Sequence, residues 1–98
     1  MGKYLMLWDI DPTKVPVSPN ERGAGWNVLM EMVKQDIKKG INKEWGSFVG
    51  ELSGFAVMEG TEVEVMNAIQ QYVPFVHFKV HSVASVSQID EIIKTLTK

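Results

Sequence analysis

Cysteine is absent from this sequence of 98 residues. Without it the chain has neither a disulfide framework nor thiolate ligands for a metal ion. It also lacks a secretory leader with a charged, an apolar and a small-residue part, so we expect a cytoplasmic location. The longest apolar runs span only a few residues. A transmembrane helix needs ~20, and we therefore expect a soluble protein.

The chain also has no excess of basic over acidic residues. The chain has 10 Lys and Arg against 12 Asp and Glu, a formal net charge of -2. Affinity for nucleic acid depends strongly on positive charge facing the phosphates, and this balance argues against such a partner. The local cluster of Lys34, Lys38, Lys39 and Lys43 is typical of a solvated helix end, where cations oppose the negative end of the dipole.

Sequence motifs of the common catalytic and cofactor-binding classes do not occur. We find no nucleophile elbow, phosphate-binding loop or metalloprotease signature. Gly23-Ala24-Gly25 lacks the glycine spacing of a dinucleotide-binding turn and falls in a predicted helix start. We accordingly expect no cofactor and no metal ion.

The first half of the chain predicts a strand, a helix and a hairpin. Residues 3–10 are rich in strand-compatible side chains and end at Asp11-Pro12. Ser18-Pro19-Asn20-Glu21 is a capping box that predicts a helix from Pro19, and Gly40 is its stop signal. Strands are predicted over 44–51 and 54–59, joined through Leu52-Ser53-Gly54 with glycine available for positive φ.

The second half predicts a helix, a strand and a last helix. Thr61 and Glu64 form another capping box, and this helix is predicted to run up to Pro74. Residues 75–83 alternate in polarity like a half-buried strand. Ile89, Ile92, Ile93 and Leu96 recur at helical spacing, and we expect them to face the domain.

These elements follow the order β-α-β-β-α-β with an added C-terminal helix. That order defines the α+β fold class called ferredoxin-like, here as one domain over residues 1–98. Right-handed crossovers place the first and third strands in the centre of a four-stranded antiparallel sheet, with both main helices on one face.

The first strand is apolar on both faces, so one apolar set must stay uncovered. We assign Leu5 and Leu7 to the helices, together with Val76, Phe78 and Val80. A register error of one residue would exchange the two sets. The opposite face of the sheet would then carry Tyr4, Met6, Trp8, Phe55, Val57, His77 and His81. Such a face covers roughly 400 Å², a size typical of interaction sites.

The element order and the amphipathic open face resemble the dimeric α/β-barrel superfamily, over nearly the whole chain. The resemblance implies a homodimer in which two sheets pair face to face around a cavity. A two-fold contact of this kind needs only one self-complementary surface. The superfamily includes cofactor-free mono-oxygenases, isomerases, haem-degrading enzymes and effector-binding domains, so the resemblance leaves the function open.

The first functional hypothesis is a homodimeric domain that binds a small hydrophobic ligand at the sheet face. In an enzyme version, a cofactor-free mono-oxygenase or isomerase, His77 acts as the base near Tyr4 or Trp8. The alternative is a pure interaction module in which the open face only joins subunits. The predicted ligand-binding wall consists of Tyr4, Met6, Trp8, Phe55, Val57 and His77.

The sequence supports two other functions less well. Asp9 and Asp11 have the spacing to share a divalent cation, but an aspartate before Pro12 more often shapes a turn. RNA-recognition domains share the element order, and Gly54-Phe55-Ala56 partly resembles their third-strand signature. Ser53 replaces the basic residue that this signature requires.

Overall fold

The computed structural model describes residues 2–50 and 52–98. They form an α+β fold with a four-stranded antiparallel sheet in the order β2-β3-β1-β4. The predicted order of strands and helices is confirmed, and so is the central position of the first and third strands. The elements are β1 (Gly2–Ile10), α1 (Pro19–Lys38), β2 (Asn42–Ser47), β3 (Ser53–Gly60), α2 (Glu62–Gln70), β4 (Val76–Val83) and α3 (Val86–Leu96).

The two predicted helix caps, at Ser18 and Thr61, are confirmed. The Ser18 side chain accepts from the Glu21 N–H, while Thr61 with Glu64, at the start of α2, forms a complete capping box. The hydrogen bonds from the Thr61 backbone and side chain lower the pKa of the Glu64 carboxyl. Each cap satisfies N–H groups that a helix start otherwise leaves unpaired.

The hairpin between β2 and β3 differs from the prediction. β2 runs over Asn42–Ser47 and β3 begins at Ser53, whereas strands were expected over 44–51 and 54–59. Residue 51, the predicted end of the second strand, lies outside the described residues. The positive φ of 81° belongs to Gly50 in the connection, and Gly54 is an extended residue inside β3. α2 also ends at Gln70, before the expected limit at Pro74.

The assignment of the two faces of β1 is wrong. Met6 is fully buried and Trp8 is 4% exposed, both in the core under the helices, and Tyr4 packs against that core. The other set, Leu5 and Leu7, pairs with Val57 and Phe55 on the open face. Register explains the difference, because Met6 and Trp8 lie opposite Ala56 and Gly54, which leave space for large side chains.

The core lies between one face of the sheet and the helices α1 and α2. The helices contribute Val33 from α1 and Val65 and Ala68 from α2, which shows that both cover the same sheet face. On β4, the predicted inward residues Val76 and Phe78 are confirmed in this layer. Val80 shares their face through its pairing with Met6, but it is 43% exposed.

The last helix does not face the domain as predicted. Ile92 on α3 is 51% exposed and Leu96 is 78% exposed, and no α3 residue is buried. The molecule measures 62 × 26 × 19 Å along its principal axes. The periodicity of α3 correctly indicates an apolar stripe, yet neither the sheet nor the other helices cover that stripe.

None of the described helices is both long enough and apolar enough to cross a bilayer.

A substitution at Gly54 should test the packing of β1 on β3. A Cβ at residue 54 would lie 2.1 Å from the Gly46 carbonyl oxygen and 2.4 Å from Cζ2 of Trp8. We expect Gly54→Ala to lower the free energy of unfolding by about 3 kcal/mol, because backbone atoms must shift. Urea denaturation measures this.

The matched control is Gly25→Ala on α1, where an added Cβ meets nothing within 4 Å. It should stabilise the protein by about 0.5–1 kcal/mol, because alanine favours the helix over glycine. Equal effects of the two substitutions would contradict the packing described.

Candidate functional site

The best candidate for a binding site is a cavity of about 30 Å³ between the sheet and α1. Residues of all four strands form its floor, and α1 forms its roof. Its walls are almost entirely apolar, including three tryptophans from three different elements. The lining residues are Trp8, Ile10, Trp26, Leu29, Met30, Val33, Asn42, Trp45, Ala56, Met58, Tyr72, Val76 and Phe78.

The three indoles are arranged around Trp8. Trp45 stacks on it with ring centroids 5.3 Å apart and an interplanar angle of 11°. Trp26 approaches it edge-on at 6.4 Å. The indole N–H of Trp8 donates to the Phe55 carbonyl oxygen at 3.2 Å, so its polar group is satisfied and the ring faces remain as apolar walls.

Asn42 is the exceptional polar residue of the cavity. Its side chain is 2% exposed, and neither Nδ2 nor Oδ1 finds a hydrogen-bond partner among the described residues. A buried amide without partners costs about 1–3 kcal/mol for each unmet group. The pairing register of β2 with β3 shifts between Asn42 and Glu44, next to this side chain. The amide therefore offers one donor and one acceptor to whatever occupies the cavity.

A second buried polar group, the Asp36 carboxylate of α1, is satisfied. The Tyr72 hydroxyl donates to it at 3.0 Å, and the Gln71 amide donates to both of its oxygens at 3.2 Å. Burial and, next, the neighbouring Asp36 carboxylate raise the pKa of Tyr72 above its ordinary range. This network joins α1 to the end of α2 and holds the back wall of the cavity.

The predicted ligand-binding wall is divided between two faces of the sheet. Tyr4, Met6 and Trp8 lie on the helix side, whereas Phe55, Val57 and His77 lie on the open face. The proposed proximity of His77 to Tyr4 or Trp8 is therefore wrong. Of the predicted residues, only Trp8 lines the interior cavity. The sequence reasoning missed Asn42, and its one available signal was a polar residue at the start of a strand.

His77 instead lies beside two carboxylates at the end of β1. Its Nδ1 is 3.8 Å from Asp9 Oδ1, and its Nε2 is 3.9 Å from Asp11 Oδ2. Asp11 also caps the short 3-10 turn Pro12–Lys14, and hydrogen bonds from the Thr13 hydroxyl and backbone lower its pKa. Over residues 2–50 and 52–98, no group of three His, Cys, Asp or Glu residues is arranged to hold a metal ion.

The open face carries an apolar surface beside this cluster. We call it the open-face patch. Phe48 and Phe55 stack within it at 6.4 Å, and the Phe55 ring covers Gly46 on the edge strand, where a Cβ would lie 2.5 Å from Cε1 of Phe55. Leu7 is 39% exposed. The patch consists of Leu5, Leu7, Phe48, Phe55 and Val57.

Comparison with known proteins does not assign this chain to a family. The fold and site define a small α+β domain with one covered and one uncovered sheet face. No protein-family model matches the sequence, and no curated protein is significantly similar to it.

The Asp36 network gives a prediction about pH. The raised pKa of Tyr72 means that folding stabilises the protonated hydroxyl. Above pH ~10 the unfolded chain loses this proton first, so stability should fall as the pH rises further. Tyr72→Phe removes this dependence. It should also cost about 1–3 kcal/mol at neutral pH, because the buried carboxylate loses a donor.

Urea denaturation between pH 7 and 11 measures both effects. The control is Tyr4→Phe, since the Tyr4 hydroxyl forms no hydrogen bond with a described residue. An unchanged pH dependence in Tyr72→Phe would contradict the role of this hydroxyl.

Proposed function

We propose that the protein is a homodimeric small-molecule-binding domain of the dimeric α/β-barrel kind. The open faces of two sheets pair, and each protomer holds its ligand in the cavity between its own sheet and α1. The observation that carries the proposal is the buried Asn42 amide, which faces an aromatic cavity without a hydrogen-bond partner among the described residues.

The chemistry of the cavity specifies the class of ligand. Indole faces and the aliphatic side chains of Leu29 and Met30 favour a flat, mainly apolar molecule. The Asn42 amide favours one group on that molecule that both donates and accepts, such as a carboxamide or a lactam. No charged side chain lines the cavity, and this argues against strongly charged ligands.

The cavity has a volume of about 30 Å³, which is smaller than such a ligand. Part of α1 must therefore move before the ligand can bind. The first half of α1 is mostly exposed, and Trp26 is its main contact with the core. Gly23 and Gly25 lie in this half with open space around them, and each glycine weakens a helix by about 1 kcal/mol. Displacing this half of α1 widens the cavity at low cost, whereas the Asp36 network keeps the other half in place.

The open-face patch supports pairing of two copies. It combines aliphatic and aromatic side chains at the centre of the face, while Lys3, Lys79 and Glu44 lie around it. An apolar centre with a polar rim is the usual anatomy of a protein interface. One self-complementary surface is sufficient for a two-fold dimer.

Native mass spectrometry and size-exclusion chromatography with light scattering test the assembly. We expect a dimer in the wild type and a monomer in Leu7→Lys, because the two-fold axis brings two buried ammonium groups close together. Val28→Lys on the outer side of α1, where Val28 is 63% exposed, is the control and should remain dimeric. A monomeric wild type would refute the homodimer.

Tryptophan fluorescence tests the ligand site. Benzamide combines a flat ring with a carboxamide that can pair with Asn42, and we expect it to change the emission of the lining tryptophans. Asn42→Leu should weaken benzamide binding about tenfold, because it removes two buried hydrogen bonds. Ethylbenzene, which has no hydrogen-bonding group, is the control probe and should bind Asn42→Leu no more weakly than wild type. A dimer that binds neither probe would favour the pure interaction module.

The His77 cluster favours a second candidate function, cofactor-free proton abstraction as in an isomerase or mono-oxygenase. The carboxylates of Asp9 and Asp11 flank both ring nitrogens of His77. A carboxylate beside a ring nitrogen can orient the imidazole of a histidine that acts as a base. The cluster lies at the margin of the open-face patch, so a substrate would bind between the two sheets.

A further inference from the structure

α3 presents an apolar stripe that no described residue of its own chain covers. Its cap is complete, with a capping box between Ser85 and Gln88. Its stripe is nevertheless about half exposed or more at every position. A helix of 11 residues is marginal in water without packing, so this helix requires a surface to pack on. The stripe consists of Val86, Ile89, Ile92, Ile93 and Leu96.

The chain directs α3 away from its own body. The radius of gyration is 16.4 Å, against about 13 Å for a compact domain of this length. Only Ala84 and Ser85 separate β4 from α3, and Ser85 is extended with φ of -80° and ψ of 169°. α3 is therefore an arm.

The body of the protein carries a second group of apolar side chains that are exposed or only partly buried, and we call this group the slot. Gln71 bonds Asp36 of α1, so this flank of α2 faces α1. Helical spacing places Met66 and Ile69 on the flank of α2 opposite to Gln71. Met66 is 61% exposed, and Val80 on the sheet below is also uncovered. The slot consists of Met66, Ile69, Val73 and Val80.

We infer that α3 of each protomer packs into this slot on the second copy of the chain, as an exchanged arm. This assignment rests on the proposed homodimer and extends it to a second contact. The arm would then be the third helix of the partner's helical layer, beside α2 and over β4. Its apolar stripe and the slot disappear from solvent together.

The area of the interface supports a second copy of the chain as the surface on which α3 packs. Open faces of roughly 400 Å² on each partner bury about 800 Å² in total, below the ~1,200 Å² of a stable interface. The stripe of α3 exposes roughly 500 Å² on each protomer, and adding two arms raises the total to about 1,800 Å². The open-face patch and the exchanged arms together reach the area that a stable dimer needs.

Engineered cysteines test the exchange cleanly, because the wild type has none. We would prepare Ile93→Cys on the arm and, in ¹⁵N-labelled form, Val73→Cys in the slot. Both are full-length chains with the changed residue at a position 48–49% exposed. After mixing, equilibration and mild oxidation, intact-mass spectrometry separates the three possible disulfide dimers. We expect the mixed dimer to exceed each homodimer at least tenfold, where random collision gives a twofold excess.

Glu91→Cys on the polar side of α3 is the control and should give no more than the twofold statistical excess with Val73→Cys. A single chain with both Ile93→Cys and Val73→Cys should form a dimer linked by two disulfides. Circular dichroism confirms that each variant is folded.

The outcomes distinguish this inference from the homodimer on which it rests. A disulfide closed within one chain, an Ile93→Cys homodimer in excess, or no cross-link in a protein of dimeric native mass would overturn the arm exchange alone. A monomeric native mass would overturn the homodimer and the exchange together.

Discussion

The contact between the Trp8 indole and the backbone of Gly54 determines which face of the sheet becomes the core. Trp8 lies opposite Gly54 in the register of β1 and β3, where the ring occupies space that any Cβ would take. Strand residues alternate between faces, so placing Trp8 inward places Met6 inward and Leu7 outward. The interior cavity and the open-face patch both follow from this one choice.

Local signals made much of the fold predictable. The capping boxes at Thr61 and Ser18 predicted helix starts correctly, because a cap is satisfied within four residues and needs no tertiary context. The faces of β1 were not predictable in the same way, since Tyr4, Met6 and Trp8 are as apolar as Leu5 and Leu7. Only the cross-strand partners distinguish the two sets. These partners depend on the pairing register of the strands, and the glycines on both sides of the hairpin made that register impossible to predict from the sequence.

The candidate site was less predictable than the fold for a related reason. Asn42 is notable only because it is buried without hydrogen-bond partners among the described residues, and partners belong to tertiary structure. His77 was correctly placed on the open face, but its neighbours Asp9 and Asp11 come from the adjacent strand and the turn after it. Periodicity likewise identified the apolar stripe of α3, while periodicity alone contains no information about the surface that covers it.

The distribution of apolar residues connects the cavity, the open face and the arm. A chain of 98 residues buries only about 60–70% of its unfolded surface when it folds alone. In this protein the buried share includes the Asn42 amide, which has no hydrogen-bond partner among the described residues, and Leu7 and Ile92 remain well exposed. Hydrophobic burial near 25 cal/mol per Å² is the main favourable term in folding, so leaving this surface in water forgoes several kcal/mol. The proposed pairing with a second copy would recover that stability on the sheet face and along the arm, and it would leave the interior cavity free for a ligand.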